Sequence, residues 1–230
     1  MNNDVRTAFS KMNASKLHSY YKYWGSLTAN SDEEYFRRFL FAFCSVHTTW
    51  KGNVYGYEAI KDFHPDRWTK KQLWSALAGS GCGLYNDRTE HIWLFGTKFW
   101  NDPSQYRPLP GESLYFLRNR LVPAIKGLGV AKVSFALEMA YPTDKTLDIT
   151  CLDVHMLRLY GNAKMSAQSR KGRTEYEKYE ADWVGRCANL PTGPYVARMV
   201  YWDSIQDKDS SRYWSYVLER QNESLSGMRV

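Results

Sequence analysis

The run Tyr35-Phe36-Arg37-Arg38-Phe39-Leu40-Phe41-Ala42-Phe43 is too apolar around its circumference to lie on a surface as a helix. It follows Ser31-Asp32-Glu33-Glu34, which has the character of a helix start: a capping serine, then carboxylates at the positive end of the helix dipole. A helix buried on most sides needs other helices around it, and the remaining sequence supplies them. Residues 55–62 read as a helix that stops before Pro65, and Thr69-Lys70-Lys71-Gln72 opens another with Leu73, Trp74 and Leu77 at helical spacing. Gly79, Gly81 and Gly83 break the chain, and Asn86-Asp87-Arg88-Thr89-Glu90 restarts it. Residues 101–111, with Pro103, Pro108 and Pro110, form a loop. Residues 113–122 are expected as a helix with Leu114, Phe116, Leu117 and Leu121 inward, and further helices over 130–141, 175–187 and 195–205. Residues 162–173 form a polar, basic connection. Strand-like alternation is scarce, so the expected fold class is all-α.

Composition narrows the function. With 230 residues and 43% apolar positions the chain can bury a real core, as one globular unit or two intimate lobes. The excess of 31 Lys and Arg over 24 Asp and Glu, together with 9 Trp, 17 Tyr and 10 Phe, favours a polyanionic partner without establishing one. The longest apolar stretch, around 39–46, falls far short of the roughly 18 residues of a membrane span. The opening MNNDVRTAFSKMN has no signal-like apolar region, so an intracellular protein, cytoplasmic or nucleoid-associated, is expected. Cys44, Cys82, Cys151 and Cys187 are too scattered for a zinc or iron–sulfur framework, and neither metal nor cofactor is expected.

Two features carry chemistry. In Lys126-Gly127-Leu128-Gly129-Val130 the glycines permit positive φ and close backbone approach, and the helix that follows would present free amides to an anion. Leu128 would anchor this hairpin, with Lys126 and Lys132 adding charge beside the same phosphate. Alone, the pentapeptide also suits an ordinary turn between helices. In Cys151-Leu152-Asp153-Val154-His155-Met156-Leu157-Arg158 an acidic residue sits in apolar surroundings at a helix start. It is either an N-cap or a catalytic carboxylate whose charge the cap holds in place. Cys151 and His155 lack a third metal ligand, and a core thiol beside a packed imidazole is the better reading.

The order of these features resembles the helix-hairpin-helix DNA glycosylases, the superfamily of endonuclease III. Three further segments agree. Phe39 to Trp50 is similar to the family's early apolar helix ending in Ser-x-Gln-Thr. Gly83-Leu84-Tyr85-Asn86-Asp87-Arg88-Thr89-Glu90-His91-Ile92 resembles its Gly-Leu/Phe-Tyr-Asn segment, and Arg198-Met199-Val200-Tyr201-Trp202 is a weaker echo of a late helix. The resemblance implies two helical lobes, a barrel over 50–161 and a discontinuous lobe from 1–49 and 162–230, with DNA across the cleft between them.

The resemblance also assigns roles. Asp153 matches the catalytic aspartate. The stretch Lys126, Gly127, Leu128, Gly129, Val130 and Ala131 would lie against the DNA backbone, and Leu84, beside Tyr85, matches the wedge that enters the base stack when a base is flipped out. His47 stands where the family has the Gln or Asn that helps fill the void. Bifunctional members carry a nucleophilic lysine four residues after the first hairpin glycine, where this chain has Ala131. Lys132 comes one residue late, about 100° around a helix, and is expected to turn away. The implied activity is a monofunctional DNA glycosylase acting as a monomer on double-stranded DNA: it flips out a modified or damaged base and hydrolyses its N-glycosidic bond with Asp153, Lys132 being a weaker catalytic candidate. The alternative is a transferase on the same scaffold that modifies a 5-hydroxymethyl pyrimidine in phage DNA, for thymine hypermodification, and leaves the glycosidic bond intact.

Overall fold

The computed structural model describes residues 3–10 and 12–206, and among these every regular element is helical. The C-terminal part of the expected discontinuous lobe, 207–230, lies outside the described residues. The helices are α1 (Asn3–Ser10), α2 (Ala14–Gly25), α3 (Asp32–Cys44), α4 (Trp50–Ile60), α5 (Lys70–Ser80), α6 (Tyr85–Asn101), α7 (Leu114–Ala124), α8 (Val130–Ala140), α9 (Val154–Leu159), α10 (Arg170–Cys187) and α11 (Gly193–Gln206). None is long and apolar enough to cross a membrane.

Helix α3 is the buried centre. Ser31 caps it by accepting from the Glu34 amide at 3.1 Å, and from Tyr35 onward nearly every side chain is enclosed. It packs along α8, itself buried on almost all sides, while α4 and α6 close over its other faces. Phe36, Phe95, Phe99 and Tyr106 form an aromatic cluster at one end. Arg38, inside this apolar helix, is satisfied by donating to the Met139 carbonyl at 3.1 Å and to that of Leu27.

Several boundaries differ from the sequence reading. Helix α4 starts at Trp50, five residues early, because Thr49 caps it from the Gly52 amide at 3.1 Å. Gly52 and Gly56 weaken its helical signal, and they are there for space: a Cβ on Gly52 would lie 2.6 Å from Thr48 Oγ1, and one on Gly56 2.8 Å from the Cys82 side chain. Helix α10 likewise starts at Arg170, capped by Ser169. The loop over 101–111 contains a 3-10 turn, Pro103–Tyr106, capped by Asp102. Phe116 is not inward but 64% exposed, since Leu114, Leu117, Arg118 and Leu121 make the buried face of α7.

A second, smaller core joins α1, α9, α10 and α11 through Val5, Met156, Trp183 and Ala197. Helix α8 begins at the seam: Val130 packs in the smaller core and Val133 in the larger.

Candidate active site

The hairpin before α8 turns on a glycine. Gly127 sits at φ +93, and a Cβ there would meet His91 Nδ1 at 2.4 Å, so both conformation and space demand glycine. Leu128 is 3% exposed and anchors the turn in the core. Gly129 differs from expectation: at φ −84 it needs no left-handed freedom, and its contribution is bare backbone facing open space. The amides of Lys132 and Val133 both return to the Gly129 carbonyl at 3.0 Å, and those of Val130 and Ala131 come before these first helical bonds. Val130 is buried, whereas Lys126 is exposed.

Asp153 is held by an unusual approach. The segment 150–152 has no regular structure, yet each of its three amides is bonded by a buried side chain. Thr150 and Cys151 donate their amides to Glu180 and Glu138 at 2.9 and 3.1 Å, and Leu152 donates to the Tyr176 hydroxyl at 3.0 Å. That hydroxyl in turn donates to the Thr150 carbonyl at 2.8 Å. Glu138 is paired with Arg198 at 2.7 Å and Glu180 with Arg118, so the carboxylates are themselves fixed. Asp153 then caps α9, its Oδ1 accepting from the amides of His155 and Met156, both at 2.9 Å, while Oδ2 accepts from the Trp202 indole at 3.0 Å. The cap and an active-site carboxylate are therefore compatible in one residue.

Lys132 overturns the orientation expected from sequence. It lines the same cleft of about 750 Å³ as Asp153, Gly127 and Gly129. Ala131 instead borders a separate concavity with Val130 and residues 166–170, which Lys132 also touches. Sequence does not fix this rotation, because α8 is buried from Val133 to Ala140 without a break and a buried pattern there fits more than one rotation. Desolvation by the surrounding walls lowers the Lys132 pKa below the ordinary 10.5, with Cys151 and Asp153 opposing and Arg198 assisting. A lysine so placed is more readily a neutral amine, the form that acts as a nucleophile. Burial pushes the neighbouring Cys151 thiol up to about 12, which removes it as a competing nucleophile near neutrality.

His47 and Leu84 are the two non-glycine residues with positive φ among the described residues, both at +47. Such backbone is strained for either side chain. His47 is exposed and lines the cleft, whereas Leu84, 47% exposed, stands at the start of α6 without a side-chain cap. Arg88 fastens the two loops together. Its buried guanidinium donates to the carbonyls of Phe43, Cys44 and Val46 on one side and of Cys82 and Gly83 on the other. Tyr85 is exposed next to Leu84 and meets Trp74 edge-on at 5.5 Å. Lys126, Leu84 and Tyr85 lie outside the cleft itself.

Among the cleft residues not expected as site residues are Arg198, Met199 and Trp202, all from α11. Their signal was the late-helix echo, in which no individual role was assigned. Arg198 is the partner of Glu138, and Trp202 touches Asp153 directly.

At the level of sequence, no family model and no curated protein matches. Solved structures do. The 8-oxoguanine glycosylase/lyase of Methanocaldococcus jannaschii, in complex with a 15mer DNA containing 8-oxoguanine, is 22% identical over 90% of this chain and 97% of its own, with a TM-score of 0.69. The 8-oxoguanine DNA glycosylase of Thermotoga maritima is 18% identical over 84% and 89%, with a TM-score of 0.65. A further structure of the M. jannaschii 8-oxoguanine DNA glycosylase is 23% identical over 84% and 87%, at 0.62. Taken with the hairpin, the central buried helix and the order of the elements, these matches give the chain the fold of the helix-hairpin-helix DNA glycosylases.

Proposed function

We propose that this protein is a DNA glycosylase that uses Lys132 as an amine nucleophile and Asp153 as the charge-bearing partner. The observation that carries the reading is their convergence on one cleft at the foot of the hairpin, with Lys132 biased toward its neutral form. This replaces the expected monofunctional route, whose premise was that Lys132 turned away.

Double-stranded DNA would lie with a phosphate over the amides of Val130 and Ala131 and beside Lys126. Leu84 would enter the stack and His47 the space left by the extruded base, with Tyr85 against the neighbouring strand. In the cleft, the Lys132 nitrogen bonds to the sugar C1′ as the N-glycosidic bond breaks and its electron pair leaves with the base, which takes up a proton. Asp153, its negative charge fixed by the α9 amides and the Trp202 indole, stabilises the positive charge that develops on the sugar. Loss of a proton from the attached amine and opening of the sugar ring give an imine, from which strand cleavage by elimination follows.

The lesion in the DNA bound to the M. jannaschii protein makes 8-oxoguanine the first base to try. Purified protein is incubated with a duplex carrying one 8-oxoguanine, and the products are resolved by mass spectrometry. Free base with a cleaved strand is expected. A mass-shifted nucleoside with its glycosidic bond intact would instead indicate base modification and overturn the reading.

A further inference from the structure

Asn53 lies on the second turn of α4, facing the same cleft, and its carboxamide makes no hydrogen bond within the described residues. The residue is 5% exposed and its Oδ1 is buried without a hydrogen-bond partner among the described residues, while its backbone amide donates to the Thr49 carbonyl at 2.9 Å. Buried polar side chains are nearly always paired, so one that is unpaired and turned into a cleft is poised for a ligand. Two of its charged neighbours in the cleft are already engaged: Arg198 with Glu138, and Asp153 with the α9 amides and Trp202. Phe135, Met199 and Trp202 supply the apolar and aromatic surface against which a planar ring can stack.

We propose that Asn53 is the specificity-determining residue of the base pocket, reading one edge of the extruded base. This rests on the glycosylase reading above. A carboxamide offers an acceptor beside a donor, so it matches a base edge on which an N–H sits next to a carbonyl oxygen. Oδ1 accepts from the ring N–H and Nδ2 donates to the exocyclic oxygen, whichever way the amide is turned before binding. The substrate class is therefore an oxo-base with a free lactam edge. Asn53 does not act on the sugar, and its contribution is confined to steps in which a base is present.

That confinement provides the test. Four duplexes are used, carrying 8-oxoguanine, hypoxanthine, uracil or an aldehydic abasic site, with the wild-type protein, Asn53→Leu and Asn53→Asp. Leu keeps the bulk but makes no hydrogen bond, and Asp replaces the donor with a second acceptor. Excision of whichever oxo-base the wild type removes is expected to fall by about 100-fold in both variants. Cleavage at the abasic site, which needs Lys132 but has no base to read, is expected to stay within about threefold. Equal losses on both kinds of substrate would make Asn53 structural, and unchanged excision would make it irrelevant; either overturns the proposal. A wild-type protein that cleaves the abasic site but excises none of the three bases would overturn the edge reading while leaving Lys132 and Asp153 in place. A protein that does neither would overturn the glycosylase reading itself.

Discussion

Replacing Asp153 by Asn separates its two duties. The carboxylate caps α9 through Oδ1, with both amide contacts at 2.9 Å, and accepts the Trp202 indole through Oδ2 at 3.0 Å. An Asn can keep the cap only by turning its NH₂ toward the Trp202 N–H, where two donors meet. Turned the other way, it keeps the indole contact and loses the cap. The cap is worth about 1 kcal/mol and an unsatisfied buried donor costs about 1–3 kcal/mol, so the variant should be destabilised by roughly 1–2 kcal/mol. For a chain of this size that lowers Tm by about 2–4 °C per kcal/mol. The catalytic loss should be far larger, about 10²–10³-fold, because the amide carries no charge to oppose the developing cation. Single-turnover base release, thermal melting and DNA affinity by fluorescence anisotropy measure the three quantities on one preparation. The expected pattern is a small fall in Tm, unchanged affinity and a large fall in rate. A variant that turns over within tenfold of the wild type would reduce Asp153 to a helix cap and refute the reasoning.

Leu84→Ala should slow base release from a fully paired duplex by about tenfold and leave release from a mismatched site nearly unchanged, since less unpairing work remains there; equal rates on the paired duplex would remove Leu84 as a wedge. Arg88→Met leaves five carbonyls, two at the end of α3 and three in the loops, without their shared donor and should cost at least ~3 kcal/mol in urea unfolding, with the segments carrying His47 and Leu84 losing hydrogen-exchange protection together. For Lys132 the sign of the pH dependence is fixed by its lowered pKa. The amine is protonated and inert at low pH and becomes nucleophilic as pH rises, so the rate of covalent trapping should rise and level off with a midpoint below 10.5. A midpoint at or above that value would mean the amine is not enclosed.

Much of the fold was legible because its signals are local. The apolar run of α3 could only be a buried helix, and Ser31, Thr69 and the glycines after α5 mark boundaries that the structure keeps. The start of helix α4 is hidden because Gly56 serves tight packing against Cys82 and Cys44, distant in sequence, and Gly52 makes room for the Thr48 hydroxyl, which propensity does not reveal. Phe116 was misplaced because its apolar character was weighed above helical phase, while the polar Arg118 took the buried position beside Glu180. The site divides in the same way. Gly127, Gly129 and Asp153 stand out in short motifs and line the cleft. The direction of Lys132 depends on the rotation of a helix buried all round, and Trp202 reaches Asp153 from 49 residues away, so neither was contained in a local pattern.

Borohydride trapping tests the central claim most directly, because reduction converts an imine between a lysine and the sugar C1′ into a permanent crosslink. Protein and a duplex carrying one 8-oxoguanine or one abasic site are mixed with borohydride, and the crosslink is mapped by peptide mass spectrometry. The account predicts a covalent complex at Lys132 that disappears in Lys132→Ala and persists in Ala131→Ser. Base release with no trapped complex, or a complex that survives Lys132→Ala, would contradict it.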